Sequence, residues 1–313
     1  MTESVLRLKF AHPKYWLVWL GFALWWLLVK LPLRAQTAIA NALGDLTWLL
    51  RTNRVRVAER NLQLCFPEWS REKLDRVLRT NMRNTVMGFF ETGISWWWPT
   101  RRILRHVDFE GQEVLDELGE QGAILMGYHF TCLEIAGAVM STRCPLDMVY
   151  RPHDNDLYDY FQRRGRTSNG NKRGDGMQPS QLLDRADLRG QVRALKQGRV
   201  LWSAFDQDAG KQKGIFVPYF GIPASTHTAF SNIARLAGVP AITLIMFRRA
   251  NGRYCIQVQP PVADFPTDTP ELDARRYNEI GEQLVRQNPE DYLWVHRRFK
   301  THPQGTPDRY QGI

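Results

Sequence analysis

Two hydrophobic rhythms divide the chain. From Tyr15 to Val29 the sequence reads YWLVWLGFALWWLLV, a run without charge bracketed by Lys14 and Lys30. A stretch apolar on every face, a little short of the about 20 residues of a full span, predicts a membrane-anchoring helix whose flanking lysines snorkel to the headgroups. Residues 35–100 then take helical spacing. Val57–Leu64 stops at Cys65-Phe66-Pro67, where proline ends the helix, and Ser70 fits the N-cap of a helix that closes before Pro99. From about Val107 short apolar runs alternate with amphipathic segments. Strands are predicted at Ala123–Met126, Leu146–Tyr150, Val200–Phe205, Ala241–Phe247 and Tyr254–Val258. Helices are predicted at Cys132–Met140, Asp156–Arg164, Gln191–Gln197, Ala229–Ala237 and Leu272–Gln287, two of them closed by Gly198 and Gly238. Gly165–Pro179, rich in Gly, Asn, Lys and Arg, reads as a long polar loop.

This alternation predicts an α/β fold: a mainly parallel mixed sheet flanked by helices. The expected organisation is an anchor helix at 1–34, a helical N-terminal region at 35–106 and an α/β domain at 107–313. Arg7, Lys9 and Lys14 precede the apolar run, and Arg34, Arg51, Arg54 and Arg56 follow it. Cations on both sides blunt the positive-inside rule, so a helix that dips into one leaflet of an anionic membrane fits as well as one that spans it.

The formal charge of +10 implies an anionic partner, without choosing among nucleic acid, an anionic membrane and a phosphorylated substrate. The tryptophans Trp16, Trp19, Trp25 and Trp26 suit a bilayer interface, whereas Trp96-Trp97-Trp98 suits either an interface or a core. Cys65, Cys132, Cys144 and Cys255 form no CxxC pair and no secreted disulfide pattern, so reduced thiols are expected. The histidines are scattered, with no HExxH, and neither a metal nor a cofactor is expected.

The sharpest local feature is Gly127–Glu134, GYHFTCLE, just past a predicted buried strand. On a regular helix, five positions turn about 500°, which would leave His129 and Glu134 about 140° apart. They meet only if His129 sits on the turn and Glu134 in the first helical turn. An imidazole held by a carboxylate is a general base of fixed tautomer. The reaction that needs such a pair is attack by a hydroxyl on a thioester, with the proton returned to the leaving thiolate. No Gly-x-Ser-x-Gly elbow is present, which favours direct transfer without an acyl-enzyme. Taken alone, the spacing also fits a core or surface histidine with an unrelated glutamate. Cys132 inside the motif reads as small core packing, and Thr226-His227-Thr228 as a second base or, more simply, a helix cap.

His-x4-Asp/Glu in this setting resembles the glycerolipid acyltransferase superfamily. Longer stretches resemble the lipid A late acyltransferases, the lauroyl and myristoyl transferases of Gram-negative bacteria. These are Arg54–Pro67 (RVRVAERNLQLCFP), His129–Glu134 (HFTCLE), Tyr150–Leu157 (YRPHDNDL), Leu183–Gly190 (LDRADLRG), Phe205–Gly210 (FDQDAG), Phe216–Phe220 (FVPYF) and Tyr292–Thr301 (YLWVHRRFKT). The resemblance implies transfer from an acyl carrier protein thioester to a hydroxyl of the Kdo-bearing tetra-acylated lipid A precursor, at the cytoplasmic face of the inner membrane. It implies His129 and Glu134 as the catalytic pair, Arg166 as an oxyanion donor, and Asp206 as a group that positions that arginine or the acceptor. Arg151, Asn155 and Asp208 in these matches, with Arg297, Arg298 and Lys300, are the expected substrate-binding residues. The family's compact Arg-Ser-Asn-Lys stretch is replaced here by Arg166-Thr167-Ser168-Asn169 running into Gly170–Pro179, an apparent insertion at 167–179. Two other readings compete. One keeps the chemistry and changes the acceptor to a lysophospholipid or an ornithine-type lipid. The other is a basic, membrane-tethered binding protein, disfavoured because no recognition helix or aromatic RNA-binding motif is present, so no nucleic-acid partner is expected.

Overall fold

The computed structural model describes residues 9–171 and 178–313. Four helices come first: α1 (Trp16–Leu28), α2 (Leu33–Leu49), α3 (Asn53–Cys65) and α4 (Arg71–Trp97). Ser70 caps α4 as its position suggests, its Oγ accepting the Lys73 amide at 3.3 Å.

The expected membrane-anchoring helix is not supported as one that spans. Helix α1 holds 13 residues, about 20 Å against the about 30 Å of a hydrocarbon core. No helix among the described residues is long and apolar enough to cross a membrane. The chain turns back after Val29, where buried Gln36 donates through Nε2 to the Val29 and Leu31 carbonyls at 3.1 and 2.8 Å and satisfies the end of α1. Phe22 and Trp25 turn inward; the rings of Phe22 and Phe161 lie 4.4 Å apart and those of Trp25 and Phe89 4.2 Å apart. The opposite face is bare hydrocarbon, with Leu17 82% and Leu20 67% exposed. Trp16, Trp19 and Trp26 share that exposure, whereas Trp96 and Trp98 are core residues.

The remaining chain builds a seven-stranded sheet in the order β1-β9-β8-β2-β5-β3-β4. The strands are β1 (Val107–Glu110), β2 (Ala123–Gly127), β3 (Leu146–Tyr150), β4 (Gln181–Asp184), β5 (Val200–Ala204), β8 (Ala241–Arg248) and β9 (Tyr254–Gln259). A separate antiparallel hairpin joins β6 (Gly214–Tyr219) to β7 (Ile222–His227). The sheet is mixed: β8 and β9 pair antiparallel, and every other neighbouring pair is parallel. Central β2 is buried at all its positions, as a strand covered on both faces must be. Helices α5 (Leu133–Met140), α6 (Asp156–Asn171), α7 (Leu188–Lys196), α8 (Ala229–Ala237) and α9 (Pro270–Gln287) flank the sheet, with shorter helices at Thr100–Leu104, Gln112–Leu118 and Gly210–Lys213.

The loop expected from Gly165 begins later, because α6 runs on to Asn171. Gly165 does not break that helix. It marks a close approach, since a Cβ there would collide with the Trp96 ring. Part of the expected insertion lies outside the described residues. All four cysteines are buried and none forms a disulfide among the described residues; Cys132 is core packing.

Candidate active site

Parallel register creates the site. Gly127 at the end of β2 pairs with Ala204 at the end of β5. Residues two positions beyond each strand, His129 and Asp206, therefore emerge side by side at the carboxyl edge of the sheet, where ligands of such folds bind. Nδ1 of His129 lies 2.6 Å from Asp206 Oδ1, and the His129 amide donates to Asp206 Oδ2 at 2.9 Å. The Tyr292 hydroxyl donates to the same Oδ2 at 2.9 Å.

Asp206 is 3% exposed. Burial alone would raise its pKa, but the charge and hydrogen bonds of His129, with the Tyr292 hydroxyl, hold it down to about 2. Burial likewise lowers the His129 pKa, and the Asp206 carboxylate more than reverses this, against opposition from Arg166, so the imidazole sits above its ordinary 6.5. An ionised Asp206 requires Nδ1 to carry the proton and leaves Nε2 as the basic nitrogen.

Glu134 does not hold the imidazole, contrary to the sequence expectation. It lies in the first turn of α5 and pairs instead with Arg166, whose Nε is 3.0 Å from Oε1 and 3.3 Å from Oε2, with Nη2 also on Oε1. The contact of Gly165 with Trp96 lets α6 come near enough for this fork. Among the described residues Nη1 of Arg166 makes no hydrogen bond. Asp206 was expected to position Arg166 or the acceptor; it positions His129.

His129 lines a cavity of 1380 Å³ that opens between α7 and α8 over the ends of β3 and β5. A half-buried imidazole backed by a buried carboxylate at the wall of a cavity of this size is equipped to take a proton from a bound hydroxyl.

The sequence model of the bacterial lipid A biosynthesis acyltransferases matches residues 6–301. The chain belongs to that family. It is 37% identical over 303 residues to the lipid A biosynthesis lauroyltransferase of Escherichia coli (strain K12), covering 96% of each chain. It is 36% identical over 308 residues to the palmitoleoyltransferase of that organism, covering 96% of this chain and 97% of the relative. Identity to its myristoyltransferase is 26% over 314 residues, at 97% and 93% coverage.

The acyltransferase places the other expected site residues unequally. Arg151 and Asp208 line the large cavity. Asp208 also fastens the C-terminal segment, accepting from the Thr301 amide and hydroxyl at 3.3 and 2.9 Å. Asn155 is a helix cap, its Oδ1 accepting the Leu157 and Tyr158 amides at 3.1 and 3.0 Å. Arg298 is 3% exposed and holds the β6–β7 hairpin by donating to Ser225 O at 2.6 Å and Thr226 Oγ1 at 2.8 Å, so it is no surface phosphate ligand. Arg297 donates to the Ile313 carbonyl at 2.7 Å, and neither it nor Lys300 lines the cavity. Thr228 stands at the N-cap of α8 without a side-chain cap bond, while His227 lines the cavity.

Sequence reasoning missed the brace behind His129. Phe130 and Tyr292 form an antiparallel bridge, and the Leu293 amide donates to the His129 carbonyl at 2.8 Å. The Thr131 amide donates to the Asp291 carbonyl at 2.7 Å. Below it Arg248 joins Asp291, Glu91 and Thr131: its Nε lies 2.6 Å from Glu91 Oε1, its Nη1 2.7 Å from Thr131 Oγ1, and Nη1 also meets Asp291 Oδ1. Burial pushes the Glu91 carboxyl up, although Arg248 and the Tyr254 hydroxyl oppose it. Tyr292 lies inside the sequence match at 292–301, the one signal that could have found it.

Proposed function

We propose that this acyltransferase moves a fatty acyl chain from an acyl carrier protein thioester to a hydroxyl of the Kdo-bearing tetra-acylated lipid A precursor. The observation that carries the reading is the His129–Asp206 pair on the cavity wall. Nε2 of His129 takes the proton of the acceptor hydroxyl as its oxygen attacks the thioester carbonyl. Asp206 stabilises the imidazolium that forms. The tetrahedral intermediate collapses with loss of thiolate, and the imidazolium returns the proton to sulfur. Arg166, fixed by Glu134, supplies N–H groups to the oxyanion. Without a serine elbow, no acyl-enzyme intervenes.

The bare leucine and tryptophan face of α1 supports attachment to the cytoplasmic face of the inner membrane, lying on the bilayer with Lys14 and Lys30 at the headgroups. The acyl length is left open, since the relatives named above differ in the chain they carry.

Incubating the purified protein with acyl carrier protein thioesters and the tetra-acylated precursor should add the mass of one acyl chain. Acylation of a lysophospholipid but not of the precursor would replace the acceptor; acylation of neither would defeat the reading.

A further inference from the structure

Helix α7 carries Arg189, Arg193 and Lys196 at i, i+4 and i+7, which puts them on one face. Arg185 lies on the turn just before it. All four line the cavity that His129 opens onto, and all four are exposed. Among the described residues none of their side chains has an ion-pair or hydrogen-bond partner. The carboxylate in that lining, Asp208, is already engaged by Thr301. The acids nearest in sequence accept backbone amides, Asp184 Oδ1 from Ala186 at 2.8 Å and Asp187 Oδ1, capping α7, from Gly190 at 2.9 Å.

Four like charges gathered on one wall repel one another, and a pair at i, i+4 costs a few tenths of a kcal/mol in an isolated helix. A solvated helix face would ordinarily intersperse acids among them. Helix α8 lines the same cavity with Ala229, Ile233 and Leu236 beside the Asn232 amide. Cations and hydrocarbon in one cavity are the complement of an anionic amphiphile.

We infer that the α7 face is the headgroup site of the acceptor, binding its phosphate groups. The inference rests on the glycolipid acceptor proposed above and assigns it a wall. The four cations line a concavity rather than a convex surface, which suits a headgroup rather than a folded acidic protein. Guanidinium groups fork onto phosphate and carboxylate with paired N–H donors, so Arg189 and Arg193 give the tightest contacts.

The test is equilibrium binding by the full chain in detergent micelles, without an acyl donor. The probes are the tetra-acylated precursor and the same lipid with its phosphates removed, against wild type, R189Q, R193Q and the double variant. Both arginines are exposed, so unchanged thermal melting separates binding effects from misfolding. The double variant is expected to weaken binding of the phosphorylated lipid at least about tenfold and to bind the dephosphorylated lipid as wild type does. Equal weakening for both lipids, or no weakening, would overturn the inference. With acyl carrier protein bearing no acyl chain titrated as a third probe, a loss confined to its binding would also overturn the inference and make the wall a protein dock. Wild type that binds the lipid through this wall yet transfers no acyl chain to it would leave the wall standing and defeat the proposed reaction instead.

Discussion

Asp206 grips His129 twice, with Oδ1 2.6 Å from the imidazole Nδ1 and Oδ2 2.9 Å from the residue's own amide. The carboxylate that orients the base thus comes from 77 positions away, not from the neighbouring helix. Glu134, expected in that role, is committed to Arg166, so the two carboxylates have separate duties. This is the arrangement of a general base with a fixed tautomer beside an arginine aimed by its own acid.

The pairing has a pH consequence. The proposed mechanism uses neutral His129, so kcat/KM should rise with pH through a pKa above 6.5. In Asp206→Asn the raising partner is gone while burial remains. The acid limb of the pH–rate profile should therefore move to lower pH, measured on whatever rate survives. A limb left in place would mean that Asp206 does not govern the proton on His129.

The same residue should leave a mark on acid unfolding. With its folded pKa held down to about 2, Asp206 contributes stability that is fully present above the unfolded value of about 3.9 and is lost as pH falls toward 2. The difference in unfolding free energy between wild type and Asp206→Asn should shrink across that window in urea titrations. A difference independent of pH there would contradict the assigned ionisation.

Glu134 and Arg166 can be separated by a double-mutant cycle. Glu134→Gln or Arg166→Met alone strands a largely buried charge and should cost about 3 kcal/mol. The uncharged double variant should regain most of that stability without regaining transfer, because no guanidinium remains for the oxyanion. Recovery of rate along with stability would reduce the pair to a structural strut.

Arg248→Met removes the cation shared by Glu91 and Asp291 beneath the turn that carries His129. Loss of about 3–5 kcal/mol is expected in denaturant unfolding. Glu91→Gln should cost less, since Asp291 still faces the guanidinium and the amide oxygen can still accept from it. Equal costs would show that Asp291 alone does not compensate Arg248.

Helix α1 can be tested on vesicles. Leu17→Glu with Leu20→Glu places two carboxylates on its bare face. Flotation with anionic vesicles should be lost while the circular dichroism spectrum holds. Retained flotation would remove this face from the membrane contact.

Much of the sheet was legible because β2, β3, β5, β8 and β9 are mostly apolar runs. The strands that escaped notice are those whose burial is incomplete. Edge strand β4 has exposed ends, and β1 reads Val-Asp-Phe-Glu. The β6–β7 hairpin turns at Phe220-Gly221, both with positive φ (51° and 72°), and a Phe in the first position hides the Asn-Gly signature such turns usually show. Apolarity along 15–29 was visible, but not the turn at Val29 that Gln36 secures from the next helix. His129, Glu134, Arg166 and Asp206 could all be named from the sequence, yet their pairing could not. It depends on the register of β2 against β5 and on the space that Gly165 leaves for Trp96, and neither is local.

The most direct test of the account is the single-turnover rate of acyl transfer to the tetra-acylated precursor in wild type, His129→Ala, Asp206→Asn and the double variant. Each single substitution should lower the rate by about 10²–10⁴, and the double should be no slower than His129→Ala, because base and orienter act as one unit. Losses that multiply in the double variant, or a near-wild-type rate for His129→Ala, would contradict it.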